Sequence, residues 1–188
     1  MAPDWVAAEM PPGYHTRLGE IERLSADLRA MDPFGRLLWA AGRPLAEAVR
    51  DAFLALKFEA EFTPEPEGTG IAVNVDAGRL LLHVAPSVGV IRKKDASLAH
   101  GFQMLHELAE PNDRVVLVAN SDPATRPLDR AAGIEPDAVA LLRRMGVNFL
   151  ASPTLFRLWI LSLHDAERGR SYVQRLHEQD GGIFHPPT

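Results

Sequence analysis

From Leu18 onward, apolar residues recur at three- and four-residue spacings. Leu18, Ile21, Leu24, Leu28 and Met31 form one stripe, with Glu20, Glu22, Arg23 and Arg29 between them. That is the period of an amphipathic helix. Ile21, Leu24, Leu28 and Met31 also fit heptad positions a and d over about two heptads. Asp32-Pro33 is expected to break or kink this helix, because proline lacks an N–H and disfavours helix in the residue before it. A short apolar helix is expected over 34–41, stopped at Gly42. Pro44, at a first-turn position, opens the next helix. Its inward stripe is Leu45, Val49, Ala52, Phe53 and Leu56, and Glu47, Arg50 and Asp51 face water.

The period then shortens to two. Phe58, Ala60 and Phe62 alternate with Glu59 and Glu61, as in a half-buried strand. A Pro/Glu/Gly loop over 63–70 leads to a second strand on Ile71, Val73 and Val75. Asp76-Ala77-Gly78 turns the chain into a third strand over 79–85, apolar enough to be covered on both faces. After a loop over 86–94, Asp95 or Ser97 can cap a helix reaching about residue 109. Residues 114–120 form the strongest buried-strand pattern, followed by a long polar loop over 121–133. Glu135-Pro136 starts a helix ended by Gly146, and 147–150 is a short buried strand. Ser152-Pro153-Thr154 caps a long helix, a further helix is expected over about 165–178, and Gly181-Gly182 ends it before a loose tail at 185–188. This order predicts an α/β protein with a mixed sheet flanked by helices. Three stretches are expected: an arm with its helices over 1–43, an α/β core over 44–164, and a C-terminal helix and tail over 165–188.

Composition narrows the function classes. The 188 residues hold 20 Lys+Arg against 25 Asp+Glu, a net charge of −5. That argues against coating nucleic acid by bulk charge, while leaving room for a local basic patch. The absence of cysteine excludes disulfides, thiolate-bound zinc and a cysteine nucleophile. No apolar run reaches the roughly 18 residues of a membrane span. Residues 1–10 carry acids and no basic segment ahead of an apolar one, so a signal peptide is not expected and a cytoplasmic protein is.

Candidate chemistry is sparse. His15, His83, His100, His106, His164, His177 and His185 form no paired zinc motif. There is no glycine-rich phosphate loop, and Ser87 and Ser97 lack a nucleophile-elbow context. Arg92-Lys93-Lys94, with Arg126, Arg130, Arg143 and Arg144, are candidates for phosphate contacts against the alternative of solvated loops. Tyr14, Trp39, Trp159 and Tyr172 lie beside leucines and are expected in the core. Trp5 is a candidate partner anchor, together with Leu18, Ile21, Leu24 and Leu28 of the arm, which needs a surface to bury its stripe.

Several local phrases resemble the restriction-endonuclease-like, PD-(D/E)xK, superfamily, including bacterial members. These are Leu56-Lys57-Phe58 running into the first strand, the third strand over 78–86, the Val-Leu-Val-Ala-Asn strand over 116–120, and the segment over 152–158. The resemblance covers about 44–163 and implies an αβββαβ core preceded by a helical arm. The family chemistry needs an acid on the second strand and a Glu/Asp and Lys two residues apart on the third. Carboxylates bind Mg²⁺ or Mn²⁺ and the lysine helps activate water. Here those positions fall on Gly70 (or Ile71), His83 and Ala85. The resemblance thus implies a degenerate member without a catalytic residue, metal or cofactor. A displaced site would draw on Glu47, Asp76 and His83, with Asn74, Lys93, Lys94 and Asp95 nearby, and would then take Mg²⁺ or Mn²⁺. Gln103 matches a helix glutamine of relatives and joins Arg92, Lys93 and Lys94 as a nucleic-acid candidate. The leading expectation is a non-catalytic interaction or scaffold protein that binds a protein partner or its own copy through the arm. The alternatives are a nucleic-acid-binding pseudo-nuclease and a metal-dependent nuclease with a displaced site.

Overall fold

The structure, a computed structural model, describes residues 9–64 and 68–186. Helix α1 spans Tyr14–Trp39 and contains Pro33. The break expected at Asp32-Pro33 is therefore corrected: the two helices read on either side of it are one. Proline removes one ladder hydrogen bond, but the turn beyond it is held from outside. Leu37 is fully buried, and the Phe34 ring stacks on Trp159 with centroids 4.2 Å apart. The chain nevertheless divides here into two units, the residues up to Pro33 and Phe34–Thr188.

In the second unit, α2 (Gly42–Ala55) leads into β1 (Ala60–Phe62), β2 (Gly70–Val75) and β3 (Gly78–Val84). Then come α3 (Ala96–Glu107), β4 (Arg114–Ala119), α4 (Pro136–Met145), β5 (Asn148–Ala151), α5 (Ser152–His164), α6 (Ala166–Glu178) and β6 (Gly182–Ile183). Among the described residues this is a mixed α/β protein with six helices and a six-stranded sheet in the order β1-β2-β3-β4-β5-β6. The first three strands are antiparallel neighbours, and β3 to β6 are parallel.

Alternation along the strands makes two cores. Leu80, Leu82, Val84, Val116 and Val118 point to the face covered by α2, α5 and α6, through Leu45, Val49, Leu155, Leu158, Tyr172 and Leu176. Leu81, Ala85, Val115, Leu117 and Ala119 point to the other face, beneath Leu98 and Met104 of α3 and Ala138 and Leu142 of α4. Being covered on both faces explains why β3 and β4 read as nearly unbroken apolar runs.

The sixth strand is absent from the sequence reading. Gly182 and Ile183 pair with Asn148 and Phe149, and Phe184 donates its N–H to the Phe149 carbonyl at 2.8 Å. Gly181, just before the strand, and Gly182, its first residue, both have positive φ, and a Cβ on Gly181 would press against the backbone of Leu142 and Arg143. The glycines that look like a terminator are thus what lets the chain pass α4 and rejoin the sheet. Two further expectations are corrected. Ser152 is the first helical residue of α5 and no side chain caps that helix. Asp95 precedes α3 without capping it, and instead accepts a hydrogen bond from the Arg92 amide.

Candidate functional site

The β2–β3 register sets Gly70 directly opposite His83, and Ala85 lies one pleat further on the same face. The three positions at which the family pattern would need its acids and lysine therefore do share one corner of the sheet. The side chains there are another matter. His83 is 1% exposed, with the His100 ring of α3 edge-on at 5.1 Å between centroids. Burial, and then the neighbouring His100, push the His83 imidazole pKa down from 6.5 to about 4. It is neutral at pH 7. Ala85 is buried among Leu81, Ile91 and Leu98, with its N–H on the Val118 carbonyl at 2.8 Å. A hard divalent cation seeks several oxygens. One neutral imidazole, a methyl and a glycine do not fit Mg²⁺ or Mn²⁺.

The displaced-site residues lie in separate surroundings. Glu47 sits on α2, whose buried residues belong to the opposite core, and it faces Arg43 at 3.3 Å and Arg36 at 3.5 Å. Asp76 lies in the β2–β3 turn, 4.0 Å from Arg170. Asn74 shares a face with His83 but pairs with Arg79, four residues from Gly70 and so roughly 13 Å along the strand. It donates to Glu59 at 2.9 Å. The expectation that Asn74 lies near a site at His83 is corrected by this register. Among the described residues, no group of three or more His, Asp or Glu is placed to hold a metal ion.

The basic candidates divide as well. Arg92, Lys93 and Lys94 are all exposed, and Arg92 pairs with Glu135 at 3.3 Å. Gln103 donates to Glu107 of its own helix at 3.0 Å. Arg130 is structural. Its guanidinium donates to the carbonyls of Thr125 (2.8 Å) and Leu38 (2.7 Å) and to the Asn120 side chain (2.7 Å), while Asn120 donates to the Ala40 carbonyl (2.9 Å). Burial lowers the Arg130 pKa below the ordinary arginine value, against the field of Asp122. Together with the Gly42 N–H on the Ala85 carbonyl (3.2 Å), these bonds seat the α1–α2 corner at the carboxyl ends of β3 and β4. That is where open α/β sheets commonly take ligands, and here the chain's own backbone occupies it. Sequence reasoning assigned Asn120 no such role, and the 80-residue separation between Asn120 and Ala40 left no local signal.

At the other end of β3, the half-buried Arg79 and the buried Asp113 form an ion pair that sequence reasoning also missed. Asp113 accepts from Arg79 Nη2 at 2.6 Å, Nε at 3.2 Å and the Arg79 amide at 3.1 Å, and from the Glu110 amide at 3.0 Å. Burial raises the Asp113 pKa, but these hydrogen bonds outweigh it and leave the carboxyl below its ordinary value. An open groove of about 410 Å³ beside the pair is lined by Asn74, Gly78, Glu110 and Asn112 among others.

The first unit carries the remaining candidates. Leu18, Ile21, Leu24, Leu28 and Met31 are all exposed, Ile21 at 60% and Leu28 at 65%. The core roles expected for Tyr14 and Trp39 are corrected: Tyr14 is exposed, and Trp39 is 61% exposed on the last turn of α1. Trp159 and Tyr172 are buried as expected. Trp5 lies outside the described residues. No helix among the described residues is long and apolar enough to cross a membrane. Comparison with family models, curated proteins and solved structures found no match.

Proposed function

We propose that this chain is a non-catalytic interaction protein, built on a degenerate restriction-endonuclease-like core, that holds another protein or a second copy of itself through its N-terminal arm. The observation that carries this reading is the exposed apolar row Leu18, Ile21, Leu24, Leu28 and Met31. Five large apolar side chains on one stripe exceed the scattered exposure of an ordinary surface, and a contiguous patch of this kind marks a contact site. The element sequence α2-β1-β2-β3-α3-β4, with three antiparallel strands followed by a parallel one, supports the nuclease-like core. The neutral, buried His83 and the Ala85 methyl support the loss of its chemistry.

The exposed Lys93 and Lys94 favour a second reading, a nucleic-acid binder that keeps the fold without cleavage. One experiment separates these readings from a displaced-site nuclease. Labelled single- and double-stranded DNA and RNA are titrated with the protein at low salt, with and without Mg²⁺ or Mn²⁺. Anisotropy is recorded and the same samples are run on a gel. The interaction reading expects neither binding nor cleavage. Salt-dependent binding that weakens in Lys93→Glu/Lys94→Glu would promote the second reading. Metal-dependent cutting that is lost in Asp76→Ala or His83→Ala would overturn both.

A further inference from the structure

The arm's charges select among its possible occupants, on the reading above that the arm is a contact site. With Ile21 and Leu28 at a positions and Leu24 and Met31 at d, the flanking e and g positions are Leu18, Glu20, Ser25, Asp27 and Asp32. Three are acids and none is basic. The bases of the arm lie elsewhere: Arg23 and Arg29 sit at c and b, on the outer side, and Arg17 precedes the apolar seam at a d position. Arg23 reaches Asp27 at 3.2 Å along the same helix, but both side chains are more than half exposed, so this pair screens Asp27 only weakly.

A second copy fits this edge poorly. Parallel pairing brings Asp27 of one copy against Asp32 of the other. Antiparallel pairing about Leu24 and Leu28 brings Asp27 against Asp27. Acid meets acid in both orientations, and such pairs set partner choice in helix pairing. A partner helix with lysine or arginine beside its apolar seam meets the acids with opposite charge at the same positions. We propose that the arm's occupant is a basic-flanked amphipathic helix of a different protein, not a second copy of this chain.

The test uses the full chain and two synthetic helical peptides. Both carry isoleucine and leucine at a and d over three heptads, one with lysine at every e and g position and one with glutamate. Anisotropy of each labelled peptide is measured at low and at moderate salt, and the chain alone is examined by sedimentation equilibrium. The expected result is a monomeric chain that binds the lysine peptide about tenfold or more tightly than the glutamate peptide, the scale of a few e/g pairs acting together. That preference should shrink with salt and reverse in the triple variant Glu20→Lys/Asp27→Lys/Asp32→Lys. Equal affinity for the two peptides, or binding to neither, would overturn the proposal. So would a dimer of the chain alone that Leu24→Asp dissociates, and that outcome would leave the arm standing as a contact site. The substituted residues are exposed, and far-ultraviolet circular dichroism checks that the variants keep the native helix content. Failure of the interaction reading itself appears separately, as nucleic-acid binding or cleavage.

Discussion

The two ends of β3 handle a buried polar side chain in opposite ways. At the amino end, Arg79 and the nearly buried Asp113 keep their charges because each is satisfied by the other, and Asp113 also accepts two backbone amides. At the carboxyl end, His83 lies under α3 with another histidine beside it and gives up its charge instead. The same strand shows both outcomes that a low-dielectric interior permits: a charge paired and hydrogen-bonded, or a group held neutral. The second outcome lies where the nuclease-like pattern would require two carboxylates and a lysine. A corner that drives an imidazole to neutrality is a poor place to hold those charges.

The largest effect expected from breaking this contrast is at the paired end. Asp113→Ala strands Arg79 and two backbone amides. Removing one partner of a buried pair costs about 3–5 kcal/mol, and the partial exposure of Arg79 places this variant near the low end. Urea unfolding at pH 7 measures it; a loss below about 1 kcal/mol would show that the pair contributes little.

Next in size is the pH dependence of His83. Its folded pKa, about 4, lies below the unfolded value of 6.5, so the native state resists protonation. The stability this contributes is fully present above pH 6.5 and is lost as pH falls through about 4, a drop of about 3 kcal/mol over that window. Asp113, also depressed, begins to lose its own contribution near the bottom of this window, where the unfolded carboxyl starts to protonate, and it does so equally in both chains. The gap between the unfolding free energies at pH 7 and pH 4 should therefore be about 3 kcal/mol smaller in His83→Leu than in the native chain. An unchanged slope in the variant would remove His83 as the source.

A smaller loss, about 2 kcal/mol, is expected for Gly78→Ala. A Cβ at Gly78 would collide with the Asn112 carbonyl, at the turn that brings Arg79 to Asp113. Thermal melts of Gly78→Ala alone and combined with Asp113→Ala reveal the coupling: less than additive losses are expected, because both disturb the same contact. The smallest effect belongs to Arg130→Ala, about 1–2 kcal/mol, since the Thr125 and Leu38 carbonyls are on half-buried residues where water replaces part of what is lost, and only the Asn120 acceptor is fully buried. Hydrogen exchange should locate that loss in the last turn of α1 and in the 121–133 loop. Uniform loss across the sheet would contradict a role for Arg130 in seating the α1–α2 corner.

Most of the element order was legible because hydrophobic period is a local property. The change from three- and four-residue spacing to alternation at Phe58 and the unbroken apolar run over 114–119 placed the helices and the first five strands within a few residues. The failures share one cause. Whether Pro33 ends a helix depended on Leu37 and Phe34 finding partners far along the chain. Whether Gly181-Gly182 ended the fold or entered it depended on an open edge of β5. Trp39 lies beside leucines in sequence, yet only Leu37 on that turn points into the core. Gly70, His83 and Ala85 were legible as residue types, but not their surroundings. That Gly70 and His83 stand opposite each other, while Asn74 lies four residues away, came from strand register.

The sequence by itself determined which residues are present at each position of the pattern, and so that the β3 corner has no carboxylate and the arm's apolar seam is flanked by Glu20, Asp27 and Asp32. Those are statements of composition and short-range spacing, and a chain carries them whether folded or not. The tertiary structure decided that His83 is neutral, that Asp113 is charged, and that Asn120 and Arg130 serve the end of a helix 80 and 92 residues earlier in the chain. Charge state and hydrogen-bond partnership depend on what surrounds a group, and those surroundings are assembled from segments far apart in the chain.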